Sequence, residues 1–303
     1  MPGIAGARPM QCGWFALARR DRIRIDVLYP PALCRGQRRF LTVMCRLAAY
    51  LGTEIPLENI IARPRHSLLV QSQDAREAKL RVNGDGFGIA WYGHSPEPGL
   101  FKDVLPAWAD TNLPSVCRLV RSRLFLAHVR AATTGASSRD NCHPFAHGRW
   151  AFMHNGGLGD FPRLRRDMEA CIADTYYATR RGTTDSELFF LMMLTNGLDQ
   201  DPQAALQRTL DQVTQIAKKR TNGALPLRLT CAFSDGARIF AFRHADDARA
   251  PSLYLSECLD HGGRAFASEP LEGPCARWRS VEPDILYELS ARDERRHALG
   301  VPA

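Results

Sequence analysis

The chain has 303 residues, 45% hydrophobic and 24% charged, a balance that supports a folded core and excludes a disordered chain. Its net charge of +8 suggests a nucleic-acid partner until it is located: eight arginines and only two aspartates fall within residues 1–43, so the body is nearly neutral and no nucleic-acid partner is implied. The longest apolar run, 188–194, is far shorter than the roughly 20 residues a membrane-spanning helix needs, so no membrane is implied either.

Residues 1–44 form a basic, acid-poor extension, read as a mis-called start or a cleaved propeptide rather than as part of the fold. From residue 46 the chain reads as short strands (46–51, 87–92, 124–130 and 149–153) bounded by Gly, Pro, Asn and Asp, with a turn over 93–99. Helices follow. Residues 162–173 begin with Pro162. Thr184-Asp185-Ser186-Glu187 has helix-start character ahead of the apolar run 188–194. Leu206, Leu210, Val213 and Ala217 recur at helical spacing over 203–219. The period then returns to two over 227–233, and strands are expected at 237–243, 252–256, 264–268 and 285–289, with a hairpin turn at Asp235-Gly236. Strands, then helices, then strands predict an α+β fold with antiparallel sheets. One domain spans 45–290, with no internal repeat or linker, and 291–303 form a C-terminal tail. The nine cysteines show no CxxC and no regular spacing, which fits a reduced, cytoplasmic protein.

Chemistry concentrates at Cys45. In a chain beginning there, the cysteine would carry both a thiol, with a free pKa of about 8.5, and an α-amine, at about 7.7 to 8.0. The amine could then act as general base for its own side chain, whereas the same nitrogen in a peptide bond has no useful basicity. Downstream lie Asn83-Gly84-Asp85-Gly86-Phe87-Gly88, Ala127-His128-Val129-Arg130-Ala131-Ala132-Thr133, Met153-His154-Asn155-Gly156-Gly157 and Thr183-Thr184-Asp185-Ser186-Glu187. Each has an ordinary structural reading. The glycine cluster reads as a turn, Arg130 as a solvated or paired strand-end arginine, Asn155-Gly156 as a hairpin turn and Asp185 as a helix cap.

Taken in order with Met44-Cys45-Arg46, His143-Pro144-Phe145 and Ala267-Ser268-Glu269-Pro270-Leu271, these motifs resemble the class II glutamine amidotransferases, which are N-terminal-nucleophile hydrolases. The resemblance runs from 44 to about 290. It is nearest to the stand-alone members, including those acting on γ-glutamyl compounds such as the ergothioneine-pathway amidohydrolase. It implies a four-layer α-β-β-α sandwich of two antiparallel sheets. It also implies hydrolysis of the side-chain amide of glutamine or a γ-glutamyl amide through a thioester on Cys45.

Under that resemblance, the Asn155 side chain and the Gly156 backbone N–H would hold the oxyanion. Arg130 would grip the substrate α-carboxylate and Asp185 the α-ammonium, while Thr133 and His143 would line the pocket. No cofactor or metal is called for. The substrate is glutamine or a γ-glutamyl small molecule, and the chain lacks the second domain with which fused members consume ammonia. That favours a stand-alone hydrolase, or a subunit lending ammonia to a separate synthase.

Other readings are weaker. An internal thiol site pairing Cys142 with His143, or Cys45 with His128, has no supporting spacing. A zinc site from Cys142, His143, His147 and His154 matches no common ligand pattern. Lys218-Lys219-Arg220 reads as a solvated helix end that complements the helix dipole. The non-enzymatic alternative is a γ-glutamyl-binding or regulatory protein whose nucleophile stays capped by residues 1–44.

Overall fold

The computed structural model describes residues 45–77, 81–131, 137–221, 227–271 and 277–300. Two antiparallel sheets stack face to face, and helices cover the outer face of each. The first strand, β1 (Arg46–Pro56), shows how the sequence specifies this arrangement. Leu47, Ala49 and Leu51 enter the core between the sheets, while Ala48 and Tyr50 enter the core beneath a helical layer. Side chains alternate along a strand, so a strand buried on both faces reads as a continuous apolar run.

Three short helices follow or interleave with the first sheet: α1 (Glu58–Ile61), α2 (Leu68–Gln73) and α3 (Leu113–Leu119). The sheet contains β1, β2 (Phe87–Trp91), β3 (Gly99–Asp103) and β4 (Arg121–Val129). The second sheet begins with β5 (Phe145–His147) and β6 (Trp150–Leu158). Then come α4 (Phe161–Ala170), α5 (Asp174–Tyr177), α6 (Asp185–Thr195) and α7 (Pro202–Thr221). The chain returns through β7 (Leu227–Ser234), β8 (Ile239–Ala245), β9 (Tyr254–Ser256) and β10 (Arg264–Ala267). It ends with β11 (Trp278–Ser280), β12 (Ile285–Leu289) and β13 (Glu294–Ala298). Strand order is β11-β9-β10-β1-β4-β2-β3 in one sheet and β13-β12-β8-β7-β6-β5 in the other. This is the α+β sandwich expected from the sequence.

The second helical layer is built on α6, whose Leu188 to Leu194 are all buried. Thr184 caps it, accepting the Glu187 N–H at 3.2 Å, and Glu187 in turn accepts the Arg181 and Gly182 N–H groups. Phe189 and Phe190 pack on Phe152 of β6. The amphipathic α7 buries Leu206, Leu210, Val213 and Ala217, the residues that predicted it. Arg220 at its basic end pairs with Asp167 of α4.

Three details depart from expectation. The strand placed at 149–153 continues to Leu158, so Asn155-Gly156 is not a hairpin turn: Asn155 pairs with Thr230 and Gly156 with Leu229 inside the sheet. Gly156 has φ +142, and a Cβ there would lie 1.9 Å from the Arg228 carbonyl oxygen. The glycine therefore permits a close backbone approach within a strand rather than a chain reversal. Residues 294–298, assigned to a tail, form β13 against β12. Finally, α1 to α3, α5, β3, β5 and β11 were not anticipated, being too short for a clear period.

Candidate active site

The inward faces of β1, β4 and β6 carry the site. Along β6 the residues facing the other sheet are Ala151 and Met153; two positions on, alternation brings Asn155 to the same face. Along β4 they are Leu124 and Leu126, followed by His128 and then Arg130. Along β1 the inward Leu47 is preceded by Cys45. The register Leu47–His128 and Arg46–Val129 places Cys45 beside the start of the loop after β4. There the Ala131 N–H donates to Cys45 Sγ at 3.4 Å, and the Sγ lies 3.5 Å from the Ala131 carbonyl oxygen.

Cys45 is half-buried. Burial pushes its thiol pKa up, while the Ala131 backbone hydrogen bond and the Arg130 and Arg46 guanidiniums act to lower it and Asp185 opposes them. The electrostatic influence of Arg130 and Asp185 on one sulfur means that residues from the end of β4 onward and from α6 converge on Cys45, although they are 55 positions apart in sequence.

Arg130 is buried at the base of the glycine cluster. Its backbone N–H donates to Gly86, the Asp85 N–H donates to the Arg130 carbonyl, and its guanidinium reaches the Asp85 carbonyl at 3.4 Å. Gly86 has φ +119, and a Cβ there would collide with Cys142 Sγ at 2.6 Å. The cluster expected to be a turn thus packs under Arg130.

Asp185 stands in the first turn of α6 but does not cap it; Thr184 does. Its carboxylate accepts the Leu158 N–H at 3.1 Å and the Ser186 N–H at 2.8 Å, which fixes it beside the end of β6.

Asn155 is fully buried, and neither its side-chain oxygen nor its nitrogen has a hydrogen-bond partner among the described residues. A buried polar group left unpaired costs about 1 to 3 kcal/mol. Three buried histidines surround this region. His154 Nδ1 lies 2.8 Å from Ser186 Oγ, and His128 Nε2 lies 3.3 Å from the His154 carbonyl oxygen. His143 packs against His128 with the rings tilted and their centroids 4.2 Å apart, and neither of its ring nitrogens has a partner among the described residues. Burial lowers all three pKa values, His128 to about 3 and His143 well below its usual value. The imidazoles are therefore neutral near pH 7. Among the described residues no three His, Cys, Asp or Glu side chains are grouped to hold a metal ion.

Cys45, Arg130, His143, Asn155, Gly156 and Asp185 are thus in the described structure, whereas Thr133 lies outside the described residues. The sequence motifs assign no role to Arg46, His66 or Glu269, which form a buried polar cluster around the Arg46–Glu269 ion pair behind Cys45. Arg46 had a signal of its own, as the one charge opening an apolar strand. His66 had none.

The family model described as class-II glutamine amidotransferases matches residues 60–255. The chain is 34% identical to the probable glutamine amidotransferase DUG3 of Saccharomyces cerevisiae, over 84% of each protein. It is also 34% identical to the gamma-glutamyl-hercynylcysteine sulfoxide hydrolase of Mycobacterium tuberculosis, covering 82% of this chain and 94% of that one. A solved glutamine aminotransferase class-II domain protein from Silicibacter pomeroyi superposes with a TM-score of 0.69 at 38% identity, covering 85% of this chain and all of that one. The chain belongs to the class-II glutamine amidotransferases and is an amide hydrolase acting on a non-peptide C–N bond.

Proposed function

We propose that this protein hydrolyses the side-chain amide of glutamine or a γ-glutamyl amide through a γ-glutamyl thioester on Cys45, in a chain that begins at that residue. The α-amine of Cys45 takes the thiol proton as Sγ attacks the amide carbon. The C–S bond forms, and the carbonyl oxygen becomes an oxyanion facing the Asn155 side-chain amide and the Gly156 N–H. The C–N bond then breaks, and the departing amine leaves with the proton held by the α-ammonium. Water adds to the thioester, and glutamate and the free thiol are released.

Asn155 is the observation that carries this reading. A fully buried amide with no partner, on the inward face shared with Cys45, is a preorganised donor for charge that exists only during reaction. Arg130 supplies a cation for the substrate α-carboxylate and Asp185 an anion for its α-ammonium; both act electrostatically on the Cys45 sulfur. His143 lines the same pocket, and its ring nitrogens, unpaired among the described residues, offer the substrate one neutral donor and one acceptor. The relatives include one named as an amidotransferase and one as a γ-glutamyl hydrolase, which supports the γ-glutamyl group as the common element and leaves the amine partner open. Ammonia release to a separate synthase is one outcome of the same chemistry.

The test is to produce the chain starting at Cys45 and the full 303-residue chain, and to assay both on glutamine and a panel of γ-glutamyl amides. Turnover is expected from the first and, without processing, not from the second. A chain from Cys45 that releases no glutamate from any of these substrates overturns the proposal. Equal turnover from an intact full chain removes the α-amine from the mechanism.

A further inference from the structure

Arg46 points away from the substrate side of β1, into the core beneath the first helical layer, and is fully buried. Its Nη1 turns back to donate to the Cys45 carbonyl oxygen at 2.9 Å. Its Nε stands 3.0 Å from Glu269 Oε1, in ionic contact but off the hydrogen-bond direction.

Glu269 is itself 1% exposed. It lies 2.5 Å from His66 Nε2 and accepts the Arg76 N–H at 3.1 Å and the Glu77 N–H at 2.8 Å. Those donors hold its carboxyl below the usual carboxylate range against the opposing effect of burial. Gln71 of α2 ties the Glu269 carbonyl to that of His66. The preceding residue, Ser268, grips the next position of β1 twice: its hydroxyl accepts the Leu47 N–H at 3.0 Å, and its own N–H donates to the Leu47 carbonyl at 2.9 Å.

These contacts fix three successive residues of β1. Leu47 is held through Ser268, Arg46 through Glu269, and Cys45 through Arg46. A buried ion pair is weak evidence for stability, because desolvation offsets most of its attraction. Something other than stability is needed to explain two full charges beneath a nucleophile. A cysteine at the start of a strand has no ladder partner to set its orientation, so its pose depends on contacts such as these.

We propose that Arg46 and Glu269 are positioning residues: the Ser268-Glu269 pair, acting through Arg46, sets the backbone pose from which Cys45 attacks. The inference rests on the reaction proposed above and adds the means by which its nucleophile is aimed. Neither residue touches substrate. Misplacing a reacting group by about 1 Å costs on the order of a hundredfold in rate.

The experiment uses the chain beginning at Cys45 and three variants: Arg46→Lys, Arg46→Met and the double variant Arg46→Met/Glu269→Gln. The double variant removes both charges, while the glutamine side-chain oxygen can still accept an N–H of the 76–77 backbone, so it leaves no unpaired ion and keeps the fold testable. It is expected to retain cooperative unfolding and the wild-type KM while kcat falls about a hundredfold. Arg46→Lys, which keeps a cation and one donor for the Cys45 carbonyl, is expected to recover part of that loss relative to Arg46→Met. A folded double variant with wild-type kcat overturns the proposal, as does a lysine variant no better than methionine.

Iodoacetamide labelling separates this result from failure of the reaction itself. Cys258 is exposed and serves as an internal reference. If the wild-type chain turns over no γ-glutamyl amide, the functional reading fails and the Cys45-to-Cys258 labelling ratio judges the positioning alone. That ratio is expected to change at least about threefold in the double variant, because releasing the Cys45 carbonyl from Arg46 alters how the thiol is presented; an unchanged ratio overturns the inference.

Discussion

The middle and the end of the sandwich are made by the same strands and obey opposite rules. In the middle, the facing residues are Leu51, Ala49 and Leu47 of β1, Leu124 and Leu126 of β4, and Ala151 and Met153 of β6. One step further toward the same end, those strands present Cys45, His128 and Asn155, with Arg130 beyond. The core satisfies itself by apolar contact, whereas the end leaves the Asn155 amide and the His143 ring nitrogens without hydrogen-bond partners among the described residues. A site therefore needs no separate scaffold here. It begins where alternation continues and apolarity stops.

Substitutions in the two regions are expected to separate stability from chemistry. Cys45→Ala makes the largest change: loss of a nucleophile costs on the order of 10⁶ in kcat, with the unfolding transition unmoved. Residual turnover within about a hundredfold of wild type would remove Cys45 from the reaction. Phe152→Ala, on the outward face of β6 against Phe189 and Phe190, is the opposite case. It should cost about 3 to 5 kcal/mol in chemical denaturation, with KM preserved in whatever fraction stays folded.

Between these extremes lies Asn155→Ala, on the same strand as Phe152. The loss of one oxyanion donor is expected to lower kcat by about 10² to 10³ with little change in KM. Its effect on stability should be neutral or favourable, since it removes a buried amide with no partner. A variant both inactive and strongly destabilised would show that Asn155 is held by the fold after all. Arg130→Ala should act chiefly on binding, raising KM by about 10 to 100-fold, the worth of a hydrogen bond to a charged group. An unchanged KM would detach Arg130 from the substrate carboxylate.

The contrast also explains what could be read from the sequence. Long apolar elements were legible. The alternation of Leu227, Leu229, Cys231 and Phe233 gave β7, and the helical spacing of Leu206 to Ala217 gave α7. The motif residues were legible as a set because their order resembles a family. Their local setting was not: Asn-Gly favours a turn, and nothing in the dipeptide says that Arg228 approaches Gly156 from a neighbouring strand. Asp185 had the composition of a cap, but Thr184 takes the capping hydrogen bond and frees the aspartate to hold Leu158. The Arg46–Glu269 contact joins residues 223 positions apart, which is beyond any local pattern.

Per pH unit, the smallest expected effect is that of acid, and it again divides end from middle. His128, His143 and His154 are neutral in the fold because burial disfavours their charged forms. Unfolded histidines titrate near 6.5. Below that pH the unfolded chain binds protons that the folded one refuses, so His128 and His143 each remove up to about 1.4 kcal/mol of stability per pH unit, and His154 acts in the same direction. The loss runs from about pH 6.5 downward, continuing to about pH 3 for His128. His244, paired with Asp284 and Asp246, has the opposite shift. Its contribution is complete below pH 6.5 and is lost as pH rises through its raised value. Depressed carboxylates such as Glu269 act only nearer their own range, below about pH 4.5. The interval from 6.5 to 5 thus isolates the buried imidazoles. Urea unfolding at half-unit steps across it should show stability falling steeply with acid. A flat profile would mean that these rings reach water or a proton partner in the folded protein, and that the end of the sandwich is as well solvated as its surface.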